Sequence, residues 1–260
     1  MRYIIYFIIA ICATTLGSLT GVGGGVIIKP LLDVFNDFNV ETISVISSLT
    51  VLSMSIISIT KHIYAKTQIP FNLVIPLSFG STIGGYIGQN LLKFVIKIFE
   101  SQNVILVIQN LCLTILIFGA FIYMHNKDNI SGKHLKSTTV SLFVGIFLGS
   151  CSSFLGIGGG PINVALLIYL YSMSTKTATV CSLIIILFSQ VSKLVTIAII
   201  TGFSIYDLSI APIMISGAVI GGYIGVELNK RFSEKKVCKS FQIVQLAVLG
   251  ITIFNVIRNL

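Results

Sequence analysis

Charge is what this sequence lacks. Only 10% of its 260 residues are charged while 55% are hydrophobic, and a water-soluble domain, usually about a quarter charged, needs more polar surface than that. The solvent around this fold is therefore lipid. Acidic residues are scarcest: Asp33, Asp37, Glu41, Glu100, Asp128, Asp207, Glu227 and Glu234 are the only eight, each at or near the end of an apolar run. Cation- and proton-coupled carriers usually keep a carboxylate at depth. Its absence here predicts no strict sodium dependence, with any coupled proton riding on the substrate. The five cysteines, Cys12, Cys112, Cys151, Cys181 and Cys238, are odd in number and form no Cys-x-x-Cys, so neither a disulfide frame nor a metal site is indicated. His62, His125 and His134 sit at segment ends or in loops, which leaves no haem-ligating pair within the membrane. No cofactor and no nucleic acid is expected.

What is present is apolar sequence in long runs, at 3–35, 42–60, 71–92, 104–124, 138–171, 177–201, 208–229 and 240–257. Most approach the ~20 residues that a helix needs to cross a bilayer. Only helices or a closed barrel can span lipid, and a barrel alternates apolar with polar residues, which these runs do not. The fold class is all-α and polytopic. The stretch Met1 to Cys12 also resembles a signal peptide, but Val140 to Ser153 is a comparable run in the matching place of the second half, so this segment is expected to be retained.

The sequence repeats itself. Gly21-Val22-Gly23-Gly24-Gly25 returns as Gly156-Ile157-Gly158-Gly159-Gly160, Ser47-Ser48-Leu49 loosely as Cys181-Ser182-Leu183, and Ile83-Gly84-Gly85-Tyr86-Ile87-Gly88 as Ile220-Gly221-Gly222-Tyr223-Ile224-Gly225. Three landmarks in one order, shifted by 135, 134 and 137 residues, mark an internal duplication: residues 1–125 and 138–260 are four-segment units joined by 126–137.

Three consecutive glycines cost a helix ~1 kcal/mol each relative to alanine, so breaks are expected at Gly23 to Gly25 and Gly158 to Gly160. A break within the membrane exposes backbone N–H groups, and half-helix N-termini carry partial positive charge suited to an anion. Neither copy is a nucleotide loop, since Gly25 is followed by Val26 and Gly160 by Pro161 where Lys-Ser/Thr would be required. The glycines spaced by four, Gly84/Gly88 and Gly221/Gly225, read instead as helix packing.

One ionisable residue, Lys193, lies deep in a run and is a substrate-facing candidate by its cost alone, with snorkelling toward the helix end as the alternative. Ser44, Ser48, Ser55 and Ser58 share one face of the second segment; Ser182, Ser189, Lys193 and Thr196 share one of the sixth. Such donors could hold oxyanion oxygens beside exposed N–H groups, or bond their own i−4 carbonyls.

The order Gly-x-Gly-Gly-Gly, Ser-Leu on the next helix and Gly-Gly-x-x-Gly on the third, given twice, resembles the TauE/SafE sulfite exporter family. The resemblance covers nearly the whole chain. It implies a multi-pass permease of the plasma membrane that moves sulfur-containing anions such as sulfite or organosulfonates. The first half carries the expected proline as Pro30; the second has Ala165 there and Pro161 instead, which leaves its backbone turn open. The candidate substrate-binding residues are Gly23, Gly24, Gly25, Ser48, Gly158, Gly159, Gly160, Ser182 and Lys193. A secondary carrier is the leading reading. An anion channel and a membrane-embedded redox or enzyme subunit are the alternatives, with Cys151 and Cys181 allowing a reactive role toward sulfite or thiosulfate. The expected partners are the small anion and the bilayer, and a homodimer is allowed.

Charge counting bears on topology. Eight single crossings divide the basic residues seven against nine, which is no bias. If the first and fifth runs, each about 33 residues long, enter, break at their glycines and return, eleven basic residues share one face against five on the other (Arg2, Lys29, Lys93, Lys97 and Arg258). That is the asymmetry a plasma-membrane protein shows. Each unit then crosses an odd number of times, and the two units are inverted.

Overall fold

A computed structural model describes residues 2–99 and 101–260, the side chain of Asp128 excepted; the sequence readings on Met1, Glu100 and the Asp128 carboxylate fall outside it. Ten α-helices and no strand are present among the described residues: α1 (Arg2–Thr20), α2 (Gly25–Phe35), α3 (Val40–Tyr64), α4 (Phe71–Ile98), α5 (Gln102–His125), α6 (Thr138–Phe154), α7 (Pro161–Tyr171), α8 (Thr175–Ile200), α9 (Ala211–Arg231) and α10 (Glu234–Asn259). Six of them, α1, α3, α5, α8, α9 and α10, are long and apolar enough to cross a membrane, and large apolar side chains such as Phe79, Ile115, Phe143 and Ile257 cover the outside.

The two longest runs are each split into a long and a short helix. Gly21, Gly23, Gly156, Gly158 and Gly159 have φ between +63° and +121°, a region that L side chains rarely enter, so the chain can leave the helix there. Each pair then folds into a hairpin. Arg2 Nη1 lies 3.3 Å from Asp37 Oδ1 and the Tyr6 hydroxyl donates to the same carboxylate, so α2 ends where α1 began. In the second half, the Lys133 and Leu135 N–H groups donate to the Tyr169 and Leu170 carbonyls, both at 2.9 Å, and the Tyr171 hydroxyl donates to Ser141 Oγ at 2.9 Å.

Around these hairpins α4 packs on α6 and α8, α9 on α1 and α3, and α5 on α10. Small residues set the contacts. A methyl group at Gly80, Gly84 or Gly88 of α4 would collide with the carbonyls of Leu142, Ile146 or Ser150 on α6, and one at Gly221 or Gly225 of α9 with the α1 backbone. This close backbone approach replaces the missing hydrophobic drive between helices in lipid.

Polar contacts mark the two ends of the bundle. At one end Lys61 pairs with Glu227 at 3.0 Å, the Lys176 N–H donates to Glu234 Oε1 at 3.3 Å and Lys127 Nζ donates to Thr175 Oγ1 at 3.4 Å. At the other lie the Arg2–Asp37 pair, Arg258 Nη1 on the Val34 carbonyl at 2.6 Å and Lys93 Nζ on Thr201 Oγ1 at 2.5 Å.

Two sequence expectations fail at α2. Lys29 does not stand free on the outer face, and Lys193 is not the only enclosed lysine: Lys29 Nζ pairs with Asp33 Oδ2 at 2.9 Å, the two side chains 2% and 0% exposed. Asn110 Nδ2 of α5 donates to the same Asp33 oxygen at 3.3 Å, and Asn255 Nδ2 of α10 donates to the Pro30 carbonyl at 2.9 Å. The cause is the hairpin: α2, 11 residues long, runs back beside α1 and packs against α3 and α10, so the side chains of Lys29 and Asp33 are enclosed by the bundle although the helix ends at its surface. A carboxylate close to the end of an apolar run is thus buried, which the linear sequence did not show.

Candidate functional site

The tips of the two hairpins meet. The position of a Gly23 Cβ would be 3.0 Å from the Gly158 carbonyl, a Gly25 Cβ would collide with the Ile157 carbonyl, and a Gly158 Cβ would lie 2.7 Å from Val51 Cγ1 of α3. Gly23, Gly24, Gly25, Gly158, Gly159 and Gly160 are all buried. The chain thus brings the N-termini of two 11-residue helices, α2 and α7, to one buried place. No acceptor among the described residues takes the N–H of Gly24, Gly25, Gly158, Gly159 or Gly160. Orphan N–H groups and two positive helix ends make this an anion-favouring spot with no acidic residue in it.

The helices beside it hold the loops in place. Ser182 Oγ of α8 donates to the Gly21 carbonyl at 2.6 Å, and Thr179 Oγ1 to the Thr20 carbonyl at 3.2 Å; α8 of the second half thereby fixes the loop of the first. Ser44 of α3 abuts the other loop, its Oγ 2.5 Å from where a Gly156 Cβ would stand.

Lys193 is fully buried and its Nζ donates to Ser44 Oγ at 2.6 Å. It turns inward to the loop-supporting serine rather than toward the helix end, and it has no ion pair among the described residues. Ser48 spends its hydroxyl on the Ser44 carbonyl at 2.7 Å, Ser55 on the Leu52 carbonyl at 2.8 Å and Ser189 on the Ile186 carbonyl at 3.0 Å; Ser58 pairs with Ser18 at 2.8 Å. Ser48, Ser55 and Ser189 are thus spent on their own helices, while Ser44, Ser58 and Ser182 bond other elements.

Three donors nearer the loops escaped the sequence reading. Ser47 Oγ, Ser153 Oγ and Asn163 Nδ2 are buried without a partner. Ser47 lies 2.8 Å from where a Gly25 Cβ would stand. Asn163, together with Cys151, Ser152, Gly159 and Gly160, lines a small cavity of about 10 Å³, room for ~1 water molecule. Ser47 was visible as the neighbour of Ser48 in the repeated motif, and Asn163 as the lone amide in an apolar half-helix. The cysteines are all free, and no group of His, Cys, Asp and Glu side chains able to hold a metal occurs among the described residues.

Lys193→Ala removes a charged donor from the buried network. A hydrogen bond to a charged group is worth ~1.5–3 kcal/mol, so the affinity of this place for an oxyanion, measured by calorimetry, should fall ~10- to 100-fold, with Lys193→Arg retaining more of it. Equal affinity in the Ala variant would reduce Lys193 to a structural role.

Comparison with known proteins fits this geometry. Residues 6–253 match the family described as "Sulfite exporter TauE/SafE". The chain is 25% identical to "Probable membrane transporter protein YunE" of Bacillus subtilis (strain 168), over 95% of this chain and 96% of the relative. It is 28% identical to "Probable membrane transporter protein MJ0441" of Methanocaldococcus jannaschii, over 95% and 91%, and 23% identical to a "Probable membrane transporter protein" of Xylella fastidiosa (strain 9a5c), over 93% and 90%. No solved structure matches the sequence. With a family match across nearly its whole length, the chain belongs to the TauE/SafE sulfite exporter family of membrane permeases.

Proposed function

We propose that the protein is a secondary carrier of the plasma membrane for small sulfur-containing oxyanions, sulfite or organosulfonates, bound between its two halves where the glycine loops meet. The observation that carries this reading is the convergence of two half-helix N-termini, with five unpaired backbone N–H groups and the free donors of Ser47, Ser153 and Asn163, in a place without carboxylates. An oxyanion supplies the acceptors this place lacks. The cavity beside the second loop, about 10 Å³, is too small for an oxyanion as it stands, which favours a carrier that must change shape over an open channel. Purified protein in liposomes should therefore take up labelled sulfite at a rate that saturates. Uptake rising linearly with concentration would favour a channel, and no uptake of sulfite, thiosulfate or sulfoacetate would overturn the assignment.

The two halves, 1–125 and 138–260, act as inverted repeats in this reading. The end contacts support it: Lys61, Lys127, Lys176, Lys230 and Arg231 meet at one end, while Arg2, Lys93 and Arg258 lie at the other, with Lys29 and Lys193 inside. The lysine-rich end is then cytoplasmic. Single cysteines at positions 127 and 235, in a background without native cysteines, should both resist an impermeant thiol reagent applied from outside the cell. Labelling on opposite faces would make the repeats parallel.

A further inference from the structure

At the lysine-rich end, where the C-terminal ends of α3 and α9 approach the start of α8, a cavity of about 360 Å³ opens between His62, Thr67, Lys176, Thr177, Asn229 and Lys230. That volume lies within the ~300–1,000 Å³ of ordinary small-molecule sites. Its chemistry is one-sided. None of its lining residues is acidic, and neither Lys176 nor Lys230 forms an ion pair among the described residues. Glu227, the nearest carboxylate on α9, is taken by Lys61 at 3.0 Å and Arg231 at 3.1 Å, and Glu234 receives the Lys176 backbone N–H.

A second, independent observation concerns His62. It is 1% exposed, its Nδ1 is within 3.2 Å of Thr67 Oγ1, and its Nε2 has no partner. A ring nitrogen left bare in a buried position that lines the cavity lacks the ligand it is shaped to meet. The floor is tied to the central site: Asn229 Nδ2 donates to the Leu19 carbonyl at 2.7 Å, two residues before Gly21. At the opposite end the matching lysine, Lys93, is already bound to Thr201 Oγ1 at 2.5 Å.

We propose that this cavity is an oxyanion-binding vestibule, the first station of the transported anion on the lysine-rich side, held by Lys176, Lys230 and His62. The proposal rests on the carrier reading above for its role, though not for its chemistry. The same chemistry would suit the phosphate of an anionic lipid headgroup, and the test distinguishes the two sources.

The protein is placed in phosphatidylcholine nanodiscs and titrated with sodium sulfite in a calorimeter, natively and as Gly24→Leu, which disables the central site but lies outside the vestibule. Sulfite binding should survive Gly24→Leu and weaken ~10-fold or more when Lys176→Gln and Lys230→Gln are added, since each removes a charged donor. Lys176→Arg with Lys230→Arg should bind as the native residues do, which separates loss of charge from misfolding. Nanodiscs containing phosphatidylglycerol weaken sulfite binding in the native protein, with no effect in the double Gln variant, if the headgroup phosphate is the resident ligand; without that competition the ligand is the free anion. Undiminished affinity in the double Gln variant, or loss of all binding in Gly24→Leu, overturns the vestibule and leaves the carrier reading standing. Transport that continues in Gly24→Leu sinks the carrier site and leaves the vestibule.

Discussion

Replacing Asp33 with asparagine should destabilise the folded protein by ~3–5 kcal/mol, the loss expected when one partner of a buried ion pair is removed. Lys29 is 2% exposed and has Asp33 as its only ion-pair partner among the described residues; on a half-helix packed against α1, α3 and α10 it cannot swing to water. Asn110 would keep a neutral acceptor, but the ammonium charge would stay buried and uncompensated. Lys29→Met strands the carboxylate in the same way. The double change Lys29→Met with Asp33→Leu should recover most of the loss, because an apolar pair of similar volume is often neutral or better than a buried ion pair. The unfolding midpoint in mixed micelles reads all three. A silent Asp33→Asn would mean that water reaches the pair.

Gly25→Ala and Gly159→Ala should each lower transport ~100-fold, equivalent to ~2.7 kcal/mol in the barrier, while the protein still inserts. At Gly25 the added methyl group runs into the Ile157 carbonyl, which is backbone and cannot rotate away. At Gly159 the φ of +121° is closed to alanine and the methyl would strike the Ile186 side chain, a strained placement costing ~1–3 kcal/mol by itself. Gly119 and Gly250 provide the contrast. Nothing lies within 4 Å of a methyl group at either, so alanine there should leave transport intact and stabilise the helix by ~0.5–1 kcal/mol. Rates of sulfite uptake by the four variants, normalised to inserted protein, decide it.

Much of this was legible because it depends on local chemistry. Scarce charge and unbroken apolar runs require helices in lipid, and three consecutive glycines at 23–25 and 158–160 weaken a helix by ~1 kcal/mol each. The depth of Lys193 was visible because its run, Thr177 to Thr201, extends past it on both sides without another charged residue. The fold-back of residues 3–35 was legible in the charge count, but the burial of Lys29 and Asp33 was not, since hydropathy along the chain cannot show which side of the short return helix its neighbours cover. The serine stripe shows the limit of periodicity. It identifies a face, yet whether Ser48 bonds its own Ser44 carbonyl or an external partner depends on the next helix. The contact of Ser182 with Gly21 spans 161 residues, and only the assembled bundle brings Ser47 beside Gly25. His62 looked like an ordinary segment-end residue because nothing nearby in sequence foretells the lysines of α8 and α9.

Whether the two glycine loops hold the anion together is tested most directly by amide NMR on protein labelled with ¹⁵N-glycine, titrated with sulfite. The signals of Gly24, Gly25, Gly158, Gly159 and Gly160 should move together along one saturation curve, because their N–H groups converge on one ligand, and sodium chloride at equal ionic strength should leave them in place. Shifts confined to one loop, or none in either while the same preparation transports sulfite, would contradict a shared site.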